Sequence, residues 1–157
     1  MQGVPNENWV TCSLNLDYKL CPTYPKYIYV PSYANKETIE GSVKFRSKGR
    51  LPVLTYLHSN GAAIIRCAQP LVGMAGLRSN HDEHYVECLR RATPGGVLTR
   101  SRDSGGDTSA PNIHIIDTRP AINAMANKAG GKGYESDKYY ENISFSFKVI
   151  QQILGIL

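Results

Sequence analysis

No stretch of this sequence reaches the roughly 18 consecutive apolar residues that a membrane-spanning helix needs. The most apolar run, residues 67–77, is interrupted by Gln69 and Pro70. The opening residues, Met-Gln-Gly-Val-Pro-Asn-Glu-Asn, have neither a basic start nor an apolar stretch, which argues against a signal peptide. Cysteine is sparse. Cys12, Cys21, Cys67 and Cys88 lie far apart and form no Cys-x-x-Cys pair, so neither a zinc knuckle nor a redox motif is supported. They read as mostly buried thiols in a reducing compartment. A soluble, cytoplasmic chain is the expectation.

What is present suits a folded domain: 41% of the 157 residues are apolar, 20% are charged, and ten tyrosines outnumber three phenylalanines. That length allows one domain, or one piece of a larger one. The net charge of +5 is unevenly placed, with Lys44, Arg46, Lys48 and Arg50 alternating along one short stretch. Such a cluster attracts anions: nucleic acid, an anionic membrane surface or a phosphorylated small molecule. It could equally be a solvated edge with no ligand. Nucleic acid is motivated only by the pI of about 9.0. With no aromatic RNP-like block and no basic helix of base-reading spacing, no nucleic-acid partner is expected.

The chain reads as mixed α/β. Residues 1–8 are polar and expected to be disordered, with the ordered part beginning near Trp9. Residues 27–30 form a short strand stopped by Pro31. Asn35 caps a helix over 36–46 that turns Ile39, Val43 and the stem of Lys44 inward. Residues 52–58 and 62–67 form a hairpin around Ser59-Asn60-Gly61. Asn80 and Glu83 have capping-box spacing for a helix over 81–92, whose buried face is Tyr85, Val86, Leu89 and Ala92. Residues 93–112, rich in glycine and proline, are a flexible loop. A buried strand at 113–116 ends at Asp117, Pro120 starts a helix over 121–129, and 143–149 alternate like a half-exposed strand. No repeat is present. The final residues, 151–157, look like a cut end, and a partial sheet predicts uncovered strand edges and poor solubility.

Several chemical constellations fail. A phosphate loop around Lys132 would need glycine at Ala126 and Ser or Thr at Gly133, and the dinucleotide pattern from Gly131 meets Ser136 where a third glycine belongs. His81 and His84 do not have zinc-protease spacing, and a charged first helical turn explains them better. His58 and His114 read as satisfied sheet histidines. A cysteine phosphatase needs a thiolate and, six positions later, the arginine that grips the phosphoryl oxygens. Six positions after the four cysteines stand Tyr18, Tyr27, Gly73 and Pro94. No catalytic residue can be assigned, and no metal site or cofactor is expected.

Five ordered blocks nevertheless carry a resemblance. They are Cys21-Pro22-Thr23-Tyr24-Pro25; Phe45-Arg46-Ser47-Lys48-Gly49-Arg50-Leu51-Pro52-Val53-Leu54; Arg66-Cys67-Ala68-Gln69-Pro70-Leu71-Val72-Gly73; Asp-Thr-Arg-Pro-Ala-Ile-Asn-Ala-Met-Ala-Asn-Lys-Ala at 117–129; and Gly131-Lys132-Gly133-Tyr134-Glu135. Together they resemble the myotubularin family over about residues 9–150. Met125, Lys132 and the Phe-Arg-Ser-Lys-Gly-Arg block are most similar to the subgroup with coiled-coil tails. The resemblance implies the front part of an incomplete cysteine-phosphatase-like domain, a mixed sheet with flanking helices. It also implies removal of the 3-phosphate from phosphatidylinositol 3-phosphate and 3,5-bisphosphate, without a metal, at endosomal membranes. The family's catalytic His-Cys-Ser-Asp-Gly-Trp-Asp-Arg loop would lie beyond Leu157 and its lipid-binding PH-GRAM domain before Met1, so this chain alone is expected to be inactive.

By the same resemblance, Asn127 matches a residue that contacts the phosphoinositide headgroup. Gln152 and Ile153 align with a second contact pair, although from Val149 onward the sequence departs from the family's Asn-Ile-His-Val-Met pattern. An adaptor that still meets phosphoinositide headgroups or an anionic membrane surface, or that pairs with an active family member, is the alternative. Arg46, Arg50, Arg66 and Arg119 are open between site residues and framework ion pairs. Asn127 is open between ligand contact and helix cap.

Overall fold

The computed structural model describes residues 3–93 and 113–148. Trp9 and Val30 are almost wholly buried where strand β1 (Trp9–Cys12) pairs antiparallel with β2 (Ile28–Pro31), in the register Trp9 to Pro31 and Cys12 to Ile28. Gly3 to Asn8, expected to be disordered, make defined contacts: the Asn6 Oδ1 accepts from the backbone N–H groups of Asn8 and Trp9, and Ser32 N–H donates to the Asn8 carbonyl.

Asn35 caps α1 (Lys36–Phe45) by accepting the Thr38 N–H at 2.8 Å. Thr38, Ile39 and Ser42 form its buried face. Lys44 is exposed, contrary to the expected inward stem. At 3.6 residues per turn it stands about 140° around the helix from Ile39, on the solvent side. Helix α2 (Asn80–Arg91) packs against α1, and its buried face is Asp82, Tyr85, Val86, Cys88 and Leu89. Its cap is Ser79, one residue before the expected Asn80, because the Ser79 Oγ reaches the Asp82 N–H at 3.3 Å. The two helices approach so closely that a Cβ on Gly41 would sit 2.4 Å from the Cβ of His81.

The expected hairpin is β3 (Val53–Leu57) against β4 (Ala63–Arg66), irregular between Leu54 and Tyr56. Strand β5 (Ile113–Asp117) pairs in parallel with β6 (Ile143–Phe147), and the short helix α3 (Ala121–Ala126) lies between them in sequence. β5 is half-exposed rather than buried, with Ile116 53% accessible, because among the described residues only one neighbour pairs with it. α3 stops at Ala126, short of the expected 129, because Asn127 caps it and Gly131, at φ +74°, carries the chain away. The mixed α/β composition holds, but the described strands do not join in one mixed sheet. Among the described residues there are three two-stranded sheets, and Pro31 and Pro52 lack the N–H donors that would extend a ladder from β2 across to β3. The core is one cluster of Trp9, Ile28, Val30, Ile39, Leu51, Val53, Leu54, Tyr85 and Leu89. Among the described residues no helix is long and apolar enough to cross a membrane.

Candidate functional site

Between α1 and β3 the chain makes a tight turn over Ser47–Gly49, with Lys48 at φ 57° and Gly49 at φ +68°. Lys48 thus occupies the left-handed region, which costs an ordinary residue about 1–2 kcal/mol. Glycine is required next to it, since a Cβ on Gly49 would lie 2.8 Å from the Leu20 carbonyl oxygen. The segment after β4 runs beside this turn. Ala68 N–H donates to the Arg50 carbonyl, Ser47 N–H to that of Gln69, and Leu71 N–H to that of Phe45.

Facing them, Asp117 ends β5 and grips Arg119 two residues on, accepting its backbone N–H at 3.0 Å and its Nε at 2.9 Å. The Arg119 guanidinium also reaches the Gly133 carbonyl at 3.0 Å and the Gln69 side-chain oxygen. The hydrogen bonds to Asp117 hold the Arg119 pKa above its ordinary value. These pieces enclose a cleft of about 390 Å³, lined by Lys48, Arg50, Gln69, Asp117, Arg119, Lys132 and Glu135 among others. Arg119 and Glu135 are held in ion pairs, whereas Lys48, Arg50 and Lys132 have no carboxylate partner among the described residues. Their surplus positive charge faces a concave surface, an arrangement that concentrates anions.

Beneath the cleft a buried network fixes its frame. Arg46, 1% exposed, pairs in bidentate fashion with Asp82, Nε to Oδ1 at 2.8 Å and Nη2 to Oδ2 at 2.6 Å, and with Glu135 through Nη1. Ser42 Oγ and the Tyr140 hydroxyl donate to the same Asp82 carboxylate at 2.6 and 2.7 Å. Burial opposes the Arg46 charge, but the two carboxylates more than offset it and hold its pKa well above the ordinary value. The arginines left open by the sequence therefore divide: Arg46 and Arg119 are framework ion pairs. Among the described residues the Arg50 guanidinium donates to Thr23 Oγ1, at 2.8 Å, and neither it nor Arg66 makes an ion pair. A second hollow of about 520 Å³, walled by Tyr24, Tyr27 and Tyr29, shares Arg50, Cys67 and Ala68 with the first.

The match of the chain to a family model decides its kinship. Residues 1–156 match the model described as a myotubularin-like phosphatase domain. The chain belongs to the myotubularin family. Among curated proteins, this myotubularin-family chain is 46% identical over 152 residues to the phosphatidylinositol-3,5-bisphosphate 3-phosphatase MTMR8 of Gallus gallus, covering 96% of this chain and 22% of that protein. It is 47% identical over 152 residues to the corresponding MTMR6 of Homo sapiens, with the same coverage. The phosphatidylinositol-3-phosphate phosphatase MTMR7 of Homo sapiens is 41% identical over 152 residues, 96% of this chain and 21% of that protein. The chain thus spans about a fifth of the length of the curated relatives it matches.

Of the expected site residues, Asn127 is half-buried at the end of α3, where its backbone N–H bonds the Asn123 carbonyl and its Nδ2 donates to Gln69 Oε1 at 3.4 Å. It is not among the residues that line the cleft but touches Gln69, which is. It is both a cap and a neighbour of the site. Gln152 and Ile153 lie outside the described residues. Gln69 itself was not singled out as a site residue by sequence reasoning, which registers it as a break in an apolar run and as one member of the 66–73 block. Asp82 was read as part of a charged first helical turn, yet it is fully buried. His114 fits its reading as a satisfied sheet histidine, its Nδ1 lying 3.2 Å from Ser144 Oγ, whereas His58 falls just past the end of β3, exposed at the turn, with its Nδ1 2.9 Å from Asn60 Oδ1. Among the described residues no cluster of His, Cys, Asp and Glu could hold a metal ion.

Proposed function

We propose that this chain is a portion of a myotubularin phosphatase domain that supplies one wall of the phosphoinositide headgroup site and is catalytically inactive alone. The observation that carries the reading is the cleft in which Lys48, Arg50 and Lys132 face inward without carboxylate partners among the described residues. Such a wall suits a ligand that carries several phosphates on one small ring. Asn127, with Gln152 and Ile153, is proposed to contact that headgroup. The relatives named as phosphatidylinositol 3-phosphatases support the ligand class. Inactivity follows from the sequence, because no cysteine is followed by arginine at the sixth position and so no thiolate is paired with a phosphate-gripping guanidinium. The working location is cytoplasmic and peripheral to endosomal membranes.

Calorimetric titration with inositol 1,3-bisphosphate tests this reading. Binding should weaken as salt rises and should fall at least tenfold in Lys132→Glu. Affinity unchanged by that substitution would refute the cleft as the site.

A second reading is a non-catalytic adaptor that pairs with an active family member. It draws support from Met74, Leu77, Ile122 and Met125, which are 59–79% exposed. Ile122 and Met125, three residues apart on α3, share an exposed apolar face that suits a protein partner.

A further inference from the structure

The Gln69 side chain is fixed in a way its sequence context does not suggest. Its backbone is tied to the turn below by the Ser47 N–H, which donates to its carbonyl at 3.0 Å, and by the bridge between Arg46 and the buried Pro70. Its side-chain oxygen accepts from Arg119 Nη1 and from Asn127 Nδ2. An amide oxygen offers two lone pairs, and here both have donors. The reversed amide would set an NH₂ against a guanidinium and a second NH₂, so the flip is decided by the network. Arg119 is in turn immobilised by Asp117 and the Gly133 carbonyl. The remaining group, the Gln69 Nε2 donor, has no partner among the described residues, and Gln69 lines the cleft that also holds Lys48, Arg50 and Lys132.

We propose that Gln69 is a ligand-contacting, specificity-determining residue, its Nε2 donating to an oxygen of a phosphorylated polyol bound in the cleft. The proposal rests on the reading of that cleft as a headgroup site. The lysines attract charge with little directional demand, whereas an amide locked on its oxygen side reads the position of one acceptor. A ligand without an oxygen there leaves the donor unpaired in a half-enclosed site, which is how polar sites reject poor analogues. Asn127 and Arg119 aim this donor, whatever contacts Asn127 makes itself.

The test is a ¹H–¹⁵N spectrum of the 157-residue chain titrated with inositol 1,3-bisphosphate and, separately, with inorganic phosphate. The Gln69 side-chain amide pair should shift with the inositol bisphosphate and move much less with phosphate. Gln69→Leu should bind the inositol bisphosphate about tenfold more weakly, and Gln69→Glu, which keeps the acceptor for Arg119 but removes the donor, should lose at least as much. If either variant fails to fold, the resonances of the unaltered chain decide. A Gln69 pair that stays still while the backbone amides of Lys48 and Lys132 shift overturns the proposal and leaves the cleft intact. Equal movement with both probes overturns the polyol specificity. If neither probe moves any resonance, the headgroup site itself is refuted and the proposal falls with it.

Discussion

Replacing Asp82 with alanine should be among the most damaging single changes in this chain. The carboxylate takes two hydrogen bonds from Arg46, one from Ser42 Oγ and one from the Tyr140 hydroxyl, and it is fully buried. Its loss leaves Arg46, itself 1% exposed, with Glu135 and the Ala68 carbonyl as its remaining oxygen partners. Removing one partner of a buried ion pair costs about 3–5 kcal/mol. Orphaned donors on Ser42 and Tyr140 would each add about 1–3 kcal/mol if they stayed dry, though such losses are not additive. A total near 4 kcal/mol is a large share of the roughly 5–15 kcal/mol that folds a domain. Trp9, the single tryptophan and 1% exposed, reports unfolding in urea by fluorescence. Asp82→Asn, which keeps the shape and part of the hydrogen bonding, should lose less than Asp82→Ala. A midpoint shift in Asp82→Ala worth less than about 1 kcal/mol would refute the network as the brace between α1, α2 and the segment around Glu135.

Three further outcomes can be measured on the same chain. Gly49→Ala should lose about 2 kcal/mol or more in urea unfolding, since it combines a left-handed residue with a Cβ 2.8 Å from the Leu20 carbonyl; an unchanged midpoint would contradict the turn. Asn35→Ala should cost about 1 kcal/mol through loss of the α1 cap. In an absorbance titration, Tyr24, Tyr85 and Tyr140 should ionise late, because burial pushes each phenol above its ordinary value of 10.0, Tyr24 to about 12. With folded values raised, their contribution to stability is fully present below pH 10 and is lost as pH climbs through the folded values. Alkaline unfolding should therefore set in above pH 10, and ionisation of all ten tyrosines together near pH 10 without unfolding would contradict the burial.

Local rules explain why parts of this fold were readable from sequence. Asn35 three residues before Thr38, the Ser-Asn-Gly turn before β4, and the spacing of Tyr85, Val86 and Leu89 each encode an element within a few residues. The framework did not read through in the same way. Asp82 looked like one more charge at a helix start, and only its partners 36 to 58 residues distant, Arg46, Ser42 and Tyr140, make it an internal anchor. Ser79 displaced Asn80 as cap: both are good cap residues, and the Ser79 Oγ is the one that reaches the Asp82 N–H. β5 looked buried because four of its residues at 113–116 include three isoleucines, but a strand's burial depends on which neighbours cover its two faces, which its own composition does not state. In the cleft, Lys48 and Arg50 were legible within the basic cluster from Lys44 to Arg50, whereas Gln69 acquires its place through Arg119, 50 residues on, and Asn127, 58 residues on.

The most direct test of the account is to mix this chain with vesicles containing phosphatidylinositol 3-phosphate and to follow co-sedimentation and phosphate release together. Lipid-dependent binding, abolished by Lys132→Glu, with no released phosphate is the predicted result. Phosphate release above the blank would contradict inactivity without a cysteine-arginine loop, and absence of binding at low salt would contradict the headgroup site.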